Sequence, residues 1–140
     1  MKKLITILLV VLTFTTFAQN SFQRITANNE KFFTKTDSVW NPVDTSGNFL
    51  RIIDISDGND VVRLTMSDNN IIENFTYYID KTAIIDGGIV YFCRDANDFP
   101  LIVELVDNSI GLYYFYNQEK DIFEKAERLI IVDKQKKFID

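Results

Sequence analysis

The sequence predicts a mainly β protein: an antiparallel up-and-down meander of about eight to ten strands, barrel-like or folded as a two-layer sandwich. Three observations predict it. Asp, Asn, Gly and Ser gather at 44–48, 57–60, 67–70, 86–88, 95–98 and 107–109, and turn clusters at such regular spacing mark an all-β sheet. Between the clusters apolar and polar residues alternate, the period of a strand with one buried face. From Val90 onward that alternation stops, and strands apolar on both faces must be covered on both faces.

Residues 1–18 read as a signal peptide, ahead of a single β domain over 19–140. Lys2 and Lys3 supply the positive start, Leu4 to Leu12 the apolar run, and Thr16-Phe17-Ala18 the small residues that a signal peptidase reads. The run is too short for a comfortable membrane span, so no span is expected after cleavage and the product is expected to be exported, periplasmic or extracellular. Cleavage leaves 140 − 18 = 122 residues, with 15 − 2 = 13 basic against 20 acidic side chains. That acidity disfavours nucleic acid as a partner and also anionic lipid, despite Lys134, Lys136 and Lys137. Cys93 is the only cysteine, so no internal disulfide staples the domain.

Ile25–Ala27 and Lys31–Thr36 read as short strands split by Asn28-Asn29-Glu30, and Trp40-Asn41-Pro42 as a break, because a residue before proline avoids the helical region. Trp40, the single tryptophan, is expected to plug one end of the core. Phe49–Ser56 and Val61–Met66 form the clearest hairpin, through a Gly58-Asn59 loop suited to a type II′ turn. Its register sets Ile55 against Val62 and Ile53 against Leu64, with Asp54 and Arg63 as an ion pair on the other side. A turn at Asn69-Asn70, where positive φ is tolerated, then opposes Leu64 to Phe75 and Val62 to Tyr77. Arg63, Thr65, Asn74 and Thr76 make the reverse face wet. A turn at Asp80-Lys81 is expected to start Thr82–Ile85, and Gly87-Gly88 to return the chain as Ile89–Arg94, keeping Ile84, Tyr91 and Cys93 on the dry face.

Leu101, Val103 and Leu105 pair across the next turn with Ile110, Leu112 and Tyr114. The reverse face carries Val90, Phe92, Ile102, Val106, Tyr113 and Phe115, interrupted only by Glu104. Either something covers it or it presents an unusually apolar patch. Cover by the ends of the chain is the expectation, with the C-terminal segment as one candidate. Ile122, Phe123, Ala126, Leu129 and Ile130 fall on one face of a short helix, while Leu129–Val132 also suits a strand, so both readings stand for 119–133. The tail from Lys134 is expected to fray.

The chain has no histidine, which removes the commonest general base, the usual triads and most zinc sites. Cys93, in the run Val90-Tyr91-Phe92-Cys93, reads as a buried, inert thiol. Asp54–Asp60 superficially suggests calcium, but an EF-hand loop needs glycine sixth and glutamate twelfth, where this chain has Asn59 and Thr65. Asp95, Asp98 and Asp107 are acids on neighbouring loops. Glu73 and Glu104 are the mid-strand acids, with Arg51 or Arg94 as partners. No catalytic, cofactor-binding or metal residues are assigned. What remains is aromatic. Tyr78, Phe92, Tyr113 and Phe115 share the outer side and form the candidate interaction surface, since tyrosine joins a large apolar area to a polar handle.

In shape the expected barrel is similar to lipocalin-like barrels, although the glycine–x–tryptophan entry motif is missing around Trp40. The leading functional expectation is an exported, non-enzymatic binding or interaction module for an unknown partner. The alternative is a carrier of a small apolar ligand, lined by Phe75, Tyr77, Tyr91 and Tyr114. A carboxylate-based hydrolase is the weaker third.

Overall fold

A computed structural model describes residues 21–45 and 47–138; the expected signal peptide lies outside them. Nine strands follow in order: β1 (Ser21–Thr36), β2 (Val39–Val43), β3 (Phe49–Ser56), β4 (Val61–Asp68), β5 (Ile71–Ile85), β6 (Gly88–Arg94), β7 (Pro100–Val106), β8 (Ser109–Asn117) and β9 (Ile122–Phe138). From β3 to β9 each strand pairs antiparallel with the next, and β9 returns to pair with β1. That last ladder decides for a barrel and against a sandwich. Eight strands, β1 and β3 to β9, close the wall. β2 is an extra strand on the edge of β1, next to Phe32–Thr36.

The local chemistry explains most of the registers. Asn69 and Asn70 both hold positive φ, 50° and 72°, a two-residue turn whose twist matches the strands it joins. It opposes Leu64 to Phe75 and Val62 to Tyr77 as expected. The β3–β4 register is also as expected, Ile53 to Leu64 and Ile55 to Val62, but the turn differs. Asn59, not Gly58, holds the positive φ (54°), and the Ser56 Oγ accepts from the N–H groups of Asp60 and Val61. Asp54 does lie opposite Arg63, yet its carboxylate is held by both Arg24 Nε and Nη2, at 2.8 and 2.9 Å. Arg24 arrives on β1, a neighbour that no local pattern names.

Long-range pairing corrects four local expectations. β1 is one strand, bent by bulges at Thr26/Ala27 and Asn29/Lys31 rather than broken. Trp40-Asn41-Pro42 lies within β2, an outermost strand where a proline costs no ladder bond. Asp80-Lys81 is not a turn. β5 runs through it with a bulge between Ile79 and Lys81, and Asp80 accepts a 2.6 Å hydrogen bond from Arg94 Nε on β6. Residues 122–138 are strand, not helix, and the tail is paired as far as Phe138, which lies opposite Ser21. A helix there would leave the main-chain groups of both β1 and β8 without partners, which outweighs a few side-chain pairs on a helix surface.

β5 is paired with β4 over Ile71–Tyr78 and with β6 over Tyr78–Ile85, so each half has one neighbour. Ile84 accordingly faces Ile89 but is 82% exposed, outside the dry face expected for it. Ile25, Ile53, Ile55, Val62, Leu64, Tyr91, Cys93, Leu101, Val103, Ile110, Leu112 and Leu129 form one buried cluster. Each large apolar side chain so buried is worth roughly 1.5–3 kcal/mol.

Candidate functional site

The outer wall of β6, β7 and β8 follows from the ladders. Phe92 lies opposite Ile102, and Ile102 opposite Tyr113, so these three form one row across the barrel's outside. The row continues through Ala126 on β9 to Phe33 on β1. In the next row Val90 faces Glu104 and Glu104 faces Gly111. Gly111 sits there because the Tyr113 ring leans over it: a Cβ at 111 would stand 3.3 Å from Tyr113 Cε2.

The β1–β2 hairpin covers this wall in part. Trp40 approaches Tyr113 with ring centroids 6.0 Å apart and planes inclined by 60°. Of the two ends of the chain it is the start that supplies this cover, and Trp40 packs outside the barrel rather than plugging its end. Two depressions meet at Trp40, Tyr113 and Glu104. One, of about 270 Å³, includes Phe33, Gly111, Ala126 and Arg128. The other, of about 420 Å³, runs along Val90, Phe92, Ile102 and Phe123, with Lys35 at its border. Lys35 Nζ lies 5.3 Å from the Trp40 ring centre and Lys81 Nζ 4.7 Å from that of Phe92, contacts worth about 0.5–1 kcal/mol at exposed sites. Among the described residues Glu104 makes no hydrogen bond or ion pair. Burial, and then the charge of Glu104, push the Tyr113 hydroxyl above the usual tyrosine range.

Of the four expected surface residues, Phe92 and Tyr113 are brought together across Ile102. Tyr78 and Phe115 are not. Tyr78, 53% exposed, stands where β5 passes from β4 to β6. Phe115, 61% exposed with φ 53°, packs on Tyr114 beneath Lys125.

The interior holds a polar knot that pattern reading missed. Arg51 and Glu127 are 1% and 2% exposed and ion-paired at 3.0 Å. Glu127 also accepts from Asn29 Nδ2 (2.7 Å) and the Tyr114 hydroxyl (2.9 Å), and Arg51 donates to Asp68 and to the Leu50 carbonyl. Burial opposes the Arg51 charge, but Asp68 and Glu127 outweigh it and its pKa is raised. Burial, reinforced by the charge of Glu127, also raises Tyr114. Arg51 is therefore no partner for Glu73 or Glu104, and Arg94 is taken by Asp80 and, at 4.0 Å, Asp98. The signal was available: Arg51 shares a face with Ile53 and Ile55, and Glu127 one with Leu129 and Ile131, two opposite charges on dry faces.

Cys93 is buried and its thiol is pushed up to about 12, by burial and then by the charge of Asp80. Of the proposed carrier lining, Tyr91 is in the core, Tyr77 and Tyr114 pack against it, and Phe75 is 38% exposed. Glu73 and Glu104 stand on β5 and β7, which share no ladder. Among the described residues no group of three or more acids or cysteines is placed to hold a metal ion. Comparison with models of known families, with characterised proteins and with solved structures found no match for this chain.

Proposed function

We propose that this chain is an exported, non-enzymatic binding module that takes its partner on the outer wall, between the β1–β2 hairpin and strands β6–β8. The observation that carries this reading is the meeting of Trp40 and Tyr113 over two adjoining depressions, with Glu104, which has no partner among the described residues, between them. Half-exposed aromatic rings beside one polar group are what binding hot spots are made of. The packing of Tyr91 within the core cluster, with Tyr77 and Tyr114 against it, favours this surface over the lipocalin-like carrier, since these rings were the lining expected for a ligand. The carboxylate hydrolase has less support still, with its two acids on strands that do not pair with each other.

Trp40 is the only tryptophan, so its emission reports on this surface alone. The mature chain, immobilised and exposed to the native exported fraction, is expected to retain a partner that shifts this emission. Tyr113→Ala should weaken retention by roughly tenfold or more, the scale of a hot-spot residue, while costing only about 1 kcal/mol in urea unfolding. Undiminished retention by both Tyr113→Ala and Trp40→Ala would remove the surface from consideration.

A further inference from the structure

Lys81–Ile85 pairs only with β6 and Tyr114–Asn117 only with β9, and three further stretches of strand have an open side among the described residues. β2 lies at the end of the sheet and contains Pro42. β9 beyond Ile131 pairs only with β1 and carries Lys134, Lys136 and Lys137. Proline and lysine are the usual means by which natural sheets block further pairing. The third stretch, Ile71–Tyr77 of β5, pairs only with β4 and has neither. It is instead apolar: Ile71 and Ile72 are 68% and 65% exposed, Phe75 38%, and Tyr78 just beyond it 53%.

Its main chain is also poised to pair. The two-residue Asn69-Asn70 turn makes Asp68 and Ile71 a hydrogen-bonded pair, so Ile71, Glu73, Phe75 and Tyr77 bond to β4. Ile72, Asn74 and Thr76 then direct their N–H and C=O groups to the open side. The β6–β7 turn nearby does not take them up. Its Asp95 N–H donates to the Phe99 carbonyl, and the Asp95 carboxylate accepts from the N–H groups of Asn97 and Phe99.

We infer that Ile71–Tyr77 pairs with the same strand of a second copy of this chain, antiparallel about a two-fold axis at Asn74. Such an interface uses one patch twice. The charges favour this register: it sets Glu73 against Phe75 of the other copy and Ile72 against Thr76, whereas a two-fold at Glu73 would bring two carboxylates face to face. Asn74 meets Asn74 as a hydrogen-bonded pair flanked by two Ile72–Thr76 pairs, roughly six main-chain bonds in all. This inference does not depend on the outer-wall surface.

Cross-linking tests the register. Opposed residues of a hydrogen-bonded pair have Cα atoms about 5.5 Å apart, within disulfide reach, and the native Cys93 is too buried to compete. Asn74→Cys is expected to give a disulfide-linked dimer under mild oxidation, and Thr65→Cys, one strand further in, is not. In sedimentation the unmodified chain should be a dimer. Thr76→Pro, which removes only an N–H aimed at the open side, should weaken it by about tenfold or more. A monomer at roughly 100 μM, far above the micromolar range of weak specific pairs, would overturn the inference. So would open-ended oligomers, or a dimer in which Asn74→Cys fails to cross-link. Should Thr76→Pro not fold, Asn74→Cys still decides, because it leaves the main chain intact.

Discussion

Leu112 and Tyr113 are neighbours on β8, yet Leu112 points into a closed core and Tyr113 onto a wall that is only half covered. The same contrast holds for charge. Inside, every polar atom of the Arg51–Glu127 knot has a partner; outside, Glu104 has none among the described residues. Apolar composition is alike on both sides of the second half of this wall. What differs is completeness of cover, and that is the physical distinction between a surface that holds the fold and one available for binding.

The contrast can be broken first at the knot. Glu127→Ala leaves the Arg51 guanidinium buried without its buried counter-charge, and should cost about 3–5 kcal/mol in urea unfolding. The double variant Arg51→Met with Glu127→Leu should recover most of that loss, because an apolar pair removes both desolvation costs. A loss under about 1 kcal/mol for Glu127→Ala, the level of an exposed ion pair, would show that water reaches the knot.

Leu112→Ala against Tyr113→Ala sharpens the comparison within one strand. The inward substitution should cost about 2–5 kcal/mol, and the outward one about 1 kcal/mol, the centre of the range for point variants. Equal losses in urea unfolding would mean that the outer wall is as structural as the core.

The last effect concerns pH. The Cys93 thiol has an ordinary value of 9.0, raised in the fold to about 12 by burial and then the Asp80 charge. Between those values the unfolded chain has lost a proton that the folded chain keeps. Stability is therefore full below pH 9 and falls as pH rises towards 12, by up to about 1.4 kcal/mol per unit. Tyr77, Tyr91 and Tyr114 are also raised, chiefly by burial, but from 10.0. The span from pH 9 to 10 therefore belongs mainly to Cys93, and Cys93→Val should flatten the decline there. An unchanged slope would mean that the thiol is reached by solvent.

How far the sequence could be read depended on the distance over which each feature is decided. Asn69-Asn70 carried its own turn chemistry, and the alternation on either side of it located Leu64 opposite Phe75 without further information. Glu127 was hidden because Asp121–Val132 satisfies a helical period as well as a strand period, and periodicity does not separate the two in a short apolar run. Arg24 was missed as the partner of Asp54 because the pair spans 30 residues. Of the binding surface, Phe92 and Tyr113 were legible as outward aromatics, but Trp40 was not, because Pro42 suggested a break.

From the sequence alone came the faces of the strands and most of the turns, since side-chain alternation and positive-φ residues act between neighbours along the chain. Tertiary structure alone decided that β9 closes on β1, that Arg51 meets Glu127, and that Trp40 folds over Tyr113. Those contacts join opposite ends of the chain, and main-chain hydrogen bonding makes each strand compatible with any open edge. Only the competition of all edges for partners selects the pairs that form.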